Sequence, residues 1–169
     1  GPESRKLLDQ GAQIGLYDNR LSVRSIKVAL DGALGSKGAA LLENYSDYNS
    51  NGFFTADPKE VYAMTEEALR KGIQVMTHAI GDRANREILN IYERALGAVP
   101  EIQRTLERPR LRIEHAQIVH PDDMRRPSKL GIILSMQPSH AITDLHFAPS
   151  RLGMARLSGA YAWRAFIDS

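Results

Sequence analysis

The order of short apolar segments and amphipathic segments limits the folds open to this 169-residue chain more than any other feature. The apolar segments have the composition of buried strands, and the longer segments between them carry apolar residues at helical spacing. The predicted strands are residues 21–30, 73–77, 111–114 and 132–136. Strands that alternate with helices form parallel βα units, so we expect an α/β fold built on a parallel sheet.

The clearest predicted helix follows a long segment without periodicity. Asp57 can cap the helix, Pro58 suits the first helical position, and Glu60 completes a capping box. The other predicted helices are residues 83–96 with Asp82 as their cap, a short helix from Pro121 that Pro127 interrupts, and residues 155–167. These helices separate the four strands and complete the alternating pattern.

The composition excludes several classes of protein. The chain is 43% hydrophobic and 25% charged, which is typical of one globular domain over residues 1–169. A net charge of +2 without a basic run gives no reason to expect nucleic acid as a partner. The absence of cysteine excludes disulfides and thiolate metal sites. No apolar run reaches the ~20 residues of a membrane span, and without a recognisable signal peptide we expect a cytoplasmic location.

Two histidines follow predicted strands directly. His78 comes after residues 73–77, and His115 ends the segment L-R-I-E-H. A β/α barrel presents its catalytic and metal-binding side chains at the carboxyl ends of its strands, and neutral imidazole is the commonest metal ligand. A single such histidine is more often a core residue bonded to backbone. Two on successive strands favour a metal site.

Lys27 lies in the predicted buried strand with apolar residues on both sides. A buried ammonium without a partner costs several kcal/mol or loses its proton. A barrel interior would give this lysine a role as a Schiff-base or general-base residue, or as a carbamylated lysine that binds metal. The alternative is that Lys27 extends from a strand end to solvent or pairs with Asp31 or Glu114.

Other polar residues near the strand ends are more ambiguous. His140 follows Gln-Pro-Ser after the strand at residues 132–136 and would bind substrate or polarise a leaving group, unless it is only a loop histidine. Glu114 precedes His115, so on a regular strand it points to the opposite face, where we expect an outer ion pair. His120 and His146 are predicted to have surface or capping roles.

Four motifs occur in order along the chain: D-G-A-L-G-S with a lysine four residues before its aspartate, H-A-I-G-D-R-A, R-I-E-H-A-Q and S-M-Q-P-S-H. Together they resemble the YtcJ-like branch of the amidohydrolase superfamily, from about Leu21 to the C-terminus. The resemblance implies a metal-dependent (β/α)8 barrel hydrolase that acts on amide or other carbon–nitrogen bonds of a small molecule. It also implies a divalent metal cofactor, with zinc as the expected ion.

The resemblance assigns roles to individual residues. Lys27 would be the metal-binding lysine of barrel strand four, and His78 and His115 the ligands of strands five and six. His140 would lie at the end of strand seven near the substrate. Asp31, with the long loop after it, would line the mouth of the site and take part in catalysis.

The chain also departs from the family pattern. It contains no H-x-H motif of strand one, and it ends before the aspartate of strand eight. We therefore expect a partial (β/α)8 TIM-type barrel of about strands four to seven, with weak metal binding and little or no turnover. A cut barrel has two open edges. These edges predict either a homo-oligomer, as a dimer that rebuilds a barrel-like core, or a much rearranged open sheet.

Two alternatives stay open at this point. The first is a non-catalytic barrel fragment or binding module that has lost the metal site. The second is a Schiff-base barrel, such as an aldolase, that uses Lys27.

Overall fold

The structure, a computed structural model, describes residues 1–169 and contains one four-stranded parallel sheet and one small antiparallel hairpin. The strands are β1 (Gln13–Gly15), β2 (Leu21–Val23), β3 (Ser25–Ala29), β4 (Gln74–Ala79), β5 (Arg112–His115) and β6 (Ile133–Ser135). The parallel sheet has the order β3-β4-β5-β6, which is also the order of the strands in sequence. This arrangement confirms the predicted α/β fold of parallel strands alternating with helices.

Helices of different lengths connect the strands. They are α1 (Pro2–Gln10), the single turn α2 (Leu16–Asn19), α3 (Pro58–Arg70), α4 (Asp82–Ala98), α5 (Arg126–Leu130), α6 (Pro138–Thr143), α7 (Ala148–Leu152) and α8 (Trp163–Ile167). Short 3-10 turns cover Glu101–Gln103, Pro121–Asp123 and Met154–Gly159. None of the helices combines the length and the apolar composition that crossing a membrane requires.

The two faces of the parallel sheet have different environments. Along β4, Val75, Thr77 and Ala79 are buried on the face covered by helices, whereas Met76 and His78 are half-buried on the other face. Residues of successive strands that pair in register share a face, so this second face continues across β3, β5 and β6. We call it the inner face, because it would line the interior if the sheet were part of a closed barrel.

The predicted start of α3 is confirmed. Asp57 caps the helix, because its Oδ1 accepts a hydrogen bond from the backbone N–H of Lys59 at 2.9 Å. The predicted cap of α4 is wrong, since Asp82 is the first residue of that helix. The Asp82 carboxylate is buried and accepts the N–H of Leu42 at 2.8 Å, which attaches the loop after β3 to the start of α4.

The predicted strand at residues 21–30 is two strands that meet at Arg24. Its first part, Leu21–Val23, is exposed and pairs with β1 in the hairpin. Only Ser25–Ala29 joins the parallel sheet. Apolar composition alone did not separate the exposed hairpin strand from the sheet strand, because both are rich in apolar and β-branched residues.

The predicted helix over residues 155–167 is also wrong. The segment is a 3-10 turn followed by α8, and Tyr161 between them has a left-handed backbone with φ 52°. The reason is a tertiary contact, since the N–H of Val119 donates to the carbonyl of Gly159 at 2.8 Å. Pro127 does not interrupt a helix, because it lies in the first turn of the separate helix α5.

Tyr92 joins α4 to two strands of the sheet. Its buried hydroxyl donates to the carbonyl of Arg112 at 2.9 Å and therefore accepts from the hydroxyl of Thr77 at 2.8 Å. Tyr92→Phe leaves both partners without this bond, so we expect the free energy of unfolding to fall by about 2 kcal/mol. Urea unfolding measures this change. Tyr48→Phe, at a tyrosine whose side chain is exposed, is the control and should change it by less than about 0.5 kcal/mol.

Candidate functional site

Three histidine rings meet at the carboxyl edge of the parallel sheet. His78 lies near the end of β4, His115 ends β5, and His140 lies in α6 after β6. The ring centroids of His78 and His115 are 4.6 Å apart in an edge-to-face arrangement, and those of His115 and His140 are 5.5 Å apart and stacked. We call these three residues the histidine cluster. With Asp31, whose Oδ1 lies 3.4 Å from His78 Nε2, the structure thus brings together four of the five residues predicted to form the site.

The backbone at His115 explains how its ring enters this cluster. His115 has φ 76° and Ala116 has φ 43°, both in the left-handed region that non-glycine residues rarely adopt. Glu114 pairs in register with His78 and therefore occupies the inner face. Regular alternation would send His115 to the opposite face, and its left-handed backbone ends that alternation. Such strained backbone conformations concentrate at functional sites.

The prediction that Glu114 forms an ion pair on the outer face is wrong in its location. The ion pair exists, since Arg112 Nε donates to Glu114 Oε1 at 2.8 Å. Burial raises the pKa of Glu114, but hydrogen bonds from Arg112 and Ser135 outweigh this effect and leave it below its usual range. Glu114 is therefore an anion on the inner face, beside His78.

The environment of His115 favours the neutral ring. Burial lowers the pKa of His115, and the nearby His78, His140 and Lys27 lower it further. The hydrogen bond with Gln137 acts in the opposite direction without reversing the shift. Neutral imidazole is the form of histidine that binds metal ions.

Asp31 lies beneath the histidine cluster rather than at an open mouth. Its buried carboxylate accepts three backbone N–H groups, from Ala40 at 2.9 Å, Ile80 at 3.0 Å and Gly81 at 2.9 Å. Its Oδ1 also lies 3.4 Å from Nε2 of His78. The arrangement holds the end of β4 and the loop after β3 together, and a catalytic role for Asp31 stays a prediction.

The prediction that Lys27 is buried is wrong. The residue is exposed because β3 is an edge strand whose inner face is not covered by another part of the chain. Lys27 is in register with Met76 of β4 and forms no ion pair with Asp31 or Glu114. Its charge nevertheless acts on Glu114 and His115. A metal-binding role for Lys27 stays a prediction.

Two glutamines next to the cluster were missed from the sequence. Gln137 Oε1 lies 2.7 Å from Nδ1 of His115, and Gln117 Oε1 lies 3.2 Å from Nδ1 of His140. Both residues belong to the sequence motifs that contain these histidines. Gln117 follows His115 by two residues within an apolar segment and is buried, and an amide in such a segment was the available indication of a hydrogen-bonding role.

The side chains of the cluster fit part of a metal site. The imidazole rings of His78 and His115, whose centroids are 4.6 Å apart, carry nitrogen atoms of the kind that zinc prefers. No group of three or more histidine, cysteine, aspartate or glutamate side chains has the geometry to hold a metal ion. The chain therefore brings together two side chains of suitable chemistry and not a complete set of ligands, and the metal-binding roles of His78 and His115 stay predictions.

Comparison with known sequences gives relatives over nearly the whole chain. LONG AFTER FAR-RED 3 of Arabidopsis thaliana is 37% identical over 166 residues, which is 96% of this chain and 28% of the relative. YtcJ of Bacillus subtilis, named as an amidohydrolase, is 33% identical over 145 residues, or 85% of this chain and 26% of the relative. The chain thus spans about a quarter of the length of these curated relatives.

Solved structures give the same result. An uncharacterized metal-dependent hydrolase from Pyrococcus horikoshii superimposes with a TM-score of 0.83 at 30% identity, covering 99% of this chain and 32% of that protein. One from Pyrococcus furiosus has a TM-score of 0.81 at 29% identity, covering 96% of this chain and 33% of that protein. The sequence model of the amidohydrolase family matches residues 5–169. The chain therefore belongs to the amidohydrolase family.

Proposed function

We propose that this chain supplies the central part of a metal-dependent hydrolase site that acts on the amide-type carbon–nitrogen bond of a small molecule. The observation that supports this proposal is the contact between His78 and His115 at the ends of adjacent parallel strands, with ring centroids 4.6 Å apart. Family membership and the similarity to metal-dependent hydrolases agree with it. The chain spans only about a third of those hydrolases, so the proposal concerns part of a site.

Each residue at the carboxyl edge has a distinct proposed role. His78 and His115 would be the imidazole ligands of a divalent metal, with zinc as the expected ion, and Lys27 would be a further ligand once carbamylated, through its new carboxylate. A bound metal of this kind lowers the pKa of water and polarises a carbonyl group. His140 contacts the substrate from α6. Asp31 orients His78 from below through the 3.4 Å contact with its Nε2.

The parallel sheet has two open edges, which affect whether the isolated chain associates with another copy. The outer edges of β3 and β6 have no partner strand. Unpaired edges favour association with another chain, so a homo-oligomer through these edges is part of the proposal. With two histidines in contact rather than a full ligand set, we expect weak metal binding and little or no turnover from the isolated chain.

Zinc titration tests the metal-binding part of the proposal. We expect His78→Ala and His115→Ala each to weaken zinc binding by more than about tenfold, because even outer-shell partners of a metal ligand are worth 10–100-fold in affinity. Equilibrium dialysis of the purified chain against zinc, followed by elemental analysis, measures the affinity and the stoichiometry. The chain with His146→Ala is the matched control, since His146 is exposed and lies outside the cluster.

Equal zinc binding by the chain and both cluster variants would place any bound zinc elsewhere and contradict the proposal. Absence of zinc from all of the proteins would favour the alternative that the chain is a non-catalytic module. Assays with simple amides in the presence of zinc then compare the rate with that of buffer alone, and equal rates would support the same alternative.

A further inference from the structure

Two glutamine amides contact the histidine cluster, and the proposed function assigns no role to either of them. Gln137 faces His115, and Gln117 faces His140, in each case at the Nδ1 atom of the ring. A glutamine side chain presents either a donor or an acceptor to its neighbour. The hydrogen-bond partners of the amide nitrogen fix the orientation of each glutamine, and so decide whether the donor or the acceptor faces the histidine.

The orientation of Gln137 is fixed by the strand from which it emerges. Its Nε2 donates to the backbone carbonyl of Ser135 at 3.0 Å, so its Oε1 is the atom that lies 2.7 Å from His115 Nδ1. An amide oxygen only accepts hydrogen bonds, and Nδ1 of His115 must therefore carry the proton. In a neutral imidazole the other nitrogen then carries the lone pair. His115 is thereby fixed as the tautomer whose Nε2 is a free acceptor.

The orientation of Gln117 is fixed by a half-buried network of hydrogen bonds. Its Nε2 donates to Asp144 Oδ2 at 2.7 Å and to the hydroxyl oxygen of Tyr161 at 3.1 Å. The Tyr161 hydroxyl in turn donates to Asp144 Oδ2 at 2.7 Å. Burial raises the pKa of Tyr161, and Asp144 raises it further, so the hydroxyl keeps its proton and stays a donor. The Gln117 oxygen is left to accept from Nδ1 of His140.

Gln137 and Gln117 present the same kind of atom to their histidines, although unrelated groups hold the two amides in place. Gln137 is held by a strand carbonyl and Gln117 by a carboxylate and a phenol, yet each presents an oxygen to Nδ1. No protein group hydrogen-bonds to Nε2 of His115 or of His140. In the neutral form of each ring, Nε2 therefore keeps an unused lone pair, and the two stacked rings lie 5.5 Å apart.

We infer that Gln137 and Gln117 are positioning residues that hold His115 and His140 as their Nδ1–H tautomers, so that each ring offers its Nε2 lone pair to an incoming partner. The partner at His115 is the divalent metal, and the partner at His140 is a proton donor on the substrate. The identity of these partners rests on the proposed function. The tautomers are a property of the chain itself. Residues that fix the tautomer of a metal ligand also set its orientation and basicity.

Nitrogen-15 NMR of the histidine rings tests the inference on the metal-free chain at neutral pH. We expect both rings of the unaltered chain to carry the proton on Nδ1. Gln137→Leu should move the proton of His115 toward Nε2 and leave His140 unchanged. Gln117→Leu should do the reverse, so each variant is the control for the other.

A conservative variant separates positioning from packing. Gln137→Glu keeps an oxygen acceptor for Nδ1 of His115, although it loses the bond to the Ser135 carbonyl, and it should restore the Nδ1–H tautomer of His115. An unchanged His115 tautomer in Gln137→Leu would overturn the inference. A change at both rings in both leucine variants would also overturn it, because it would mean that the cluster collapses when either amide is lost.

Zinc affinity provides a second measurement. Gln137→Leu should weaken zinc binding by about tenfold or more, and Gln137→Glu should recover most of the affinity. A tautomer change in a chain that binds no zinc would support the positioning role and count against the metal proposal. If the chain binds zinc but neither leucine variant changes a histidine tautomer, the metal proposal is supported and the positioning role is contradicted.

Discussion

Replacing Asp31 with alanine is expected to lower the free energy of unfolding by about 4 kcal/mol, one of the two largest effects that we predict for a single substitution. The buried carboxylate accepts N–H groups of Ala40, Ile80 and Gly81, and alanine leaves all three donors without a partner away from water. An unsatisfied buried donor costs about 1–3 kcal/mol. Urea unfolding followed by circular dichroism measures the loss.

Two further variants define the origin of this effect. Asp122→Ala removes a carboxylate whose side chain is 81% exposed, and it should change stability by less than about 0.5 kcal/mol. Asp31→Asn keeps the shape and one acceptor oxygen but points an NH2 group at a backbone donor, so we expect an intermediate loss. If Asp31→Ala costs no more than the exposed control, the three backbone bonds do not stabilise the fold.

Gly81→Ala is expected to destabilise the chain by about 3 kcal/mol, the second large effect. A Cβ atom at Gly81 would overlap the carbonyl group of Ala40, which is backbone and has no rotamer to adopt. The conformation is not the cause, because Gly81 has φ −74° and ψ 155°, which any residue adopts. The thermal midpoint, read by circular dichroism, should fall.

The matched control for this substitution is Gly97→Ala in α4, the helix that Gly81 precedes. Gly97 lies near the end of α4, and an added Cβ there meets no atom within 4 Å. Since alanine is a better helix former than glycine, this variant should be more stable by about 0.5–1 kcal/mol. Similar shifts in both variants would show that the approach of Ala40 to Gly81 is not close enough to matter.

Local rules predicted the parts of this chain that depend on neighbouring residues. Asp57 caps α3, and alternating apolar segments located the strands of the parallel sheet. Because the carboxyl ends of parallel strands lie at one edge, His78 and His115 could be placed together from the sequence. Topology places the two residues at the same edge, and the left-handed backbone of His115 then brings its ring against that of His78.

The predictions that are wrong concern features that depend on contacts between distant segments or on an unusual backbone conformation. Strict alternation placed Glu114 on the outer face, whereas the left-handed backbone of His115 ends the alternation at that point. The helix predicted through Tyr161 is broken because Gly159 bonds to Val119. Neither feature has a local sequence pattern that would reveal it.

The carboxylate of Asp31 also has a consequence for how a ligand enters. It connects Ala40 to the end of β4, and the Asp82 carboxylate adds Leu42 to the same assembly. Residues 31–42, which approach His78 through the Asp31 carboxylate, are thereby attached to the end of β4 and the start of α4. A segment that is already ordered loses little conformational entropy when a ligand binds beside it. For a ligand bound at His78, we therefore expect selection by the fixed shape of this segment.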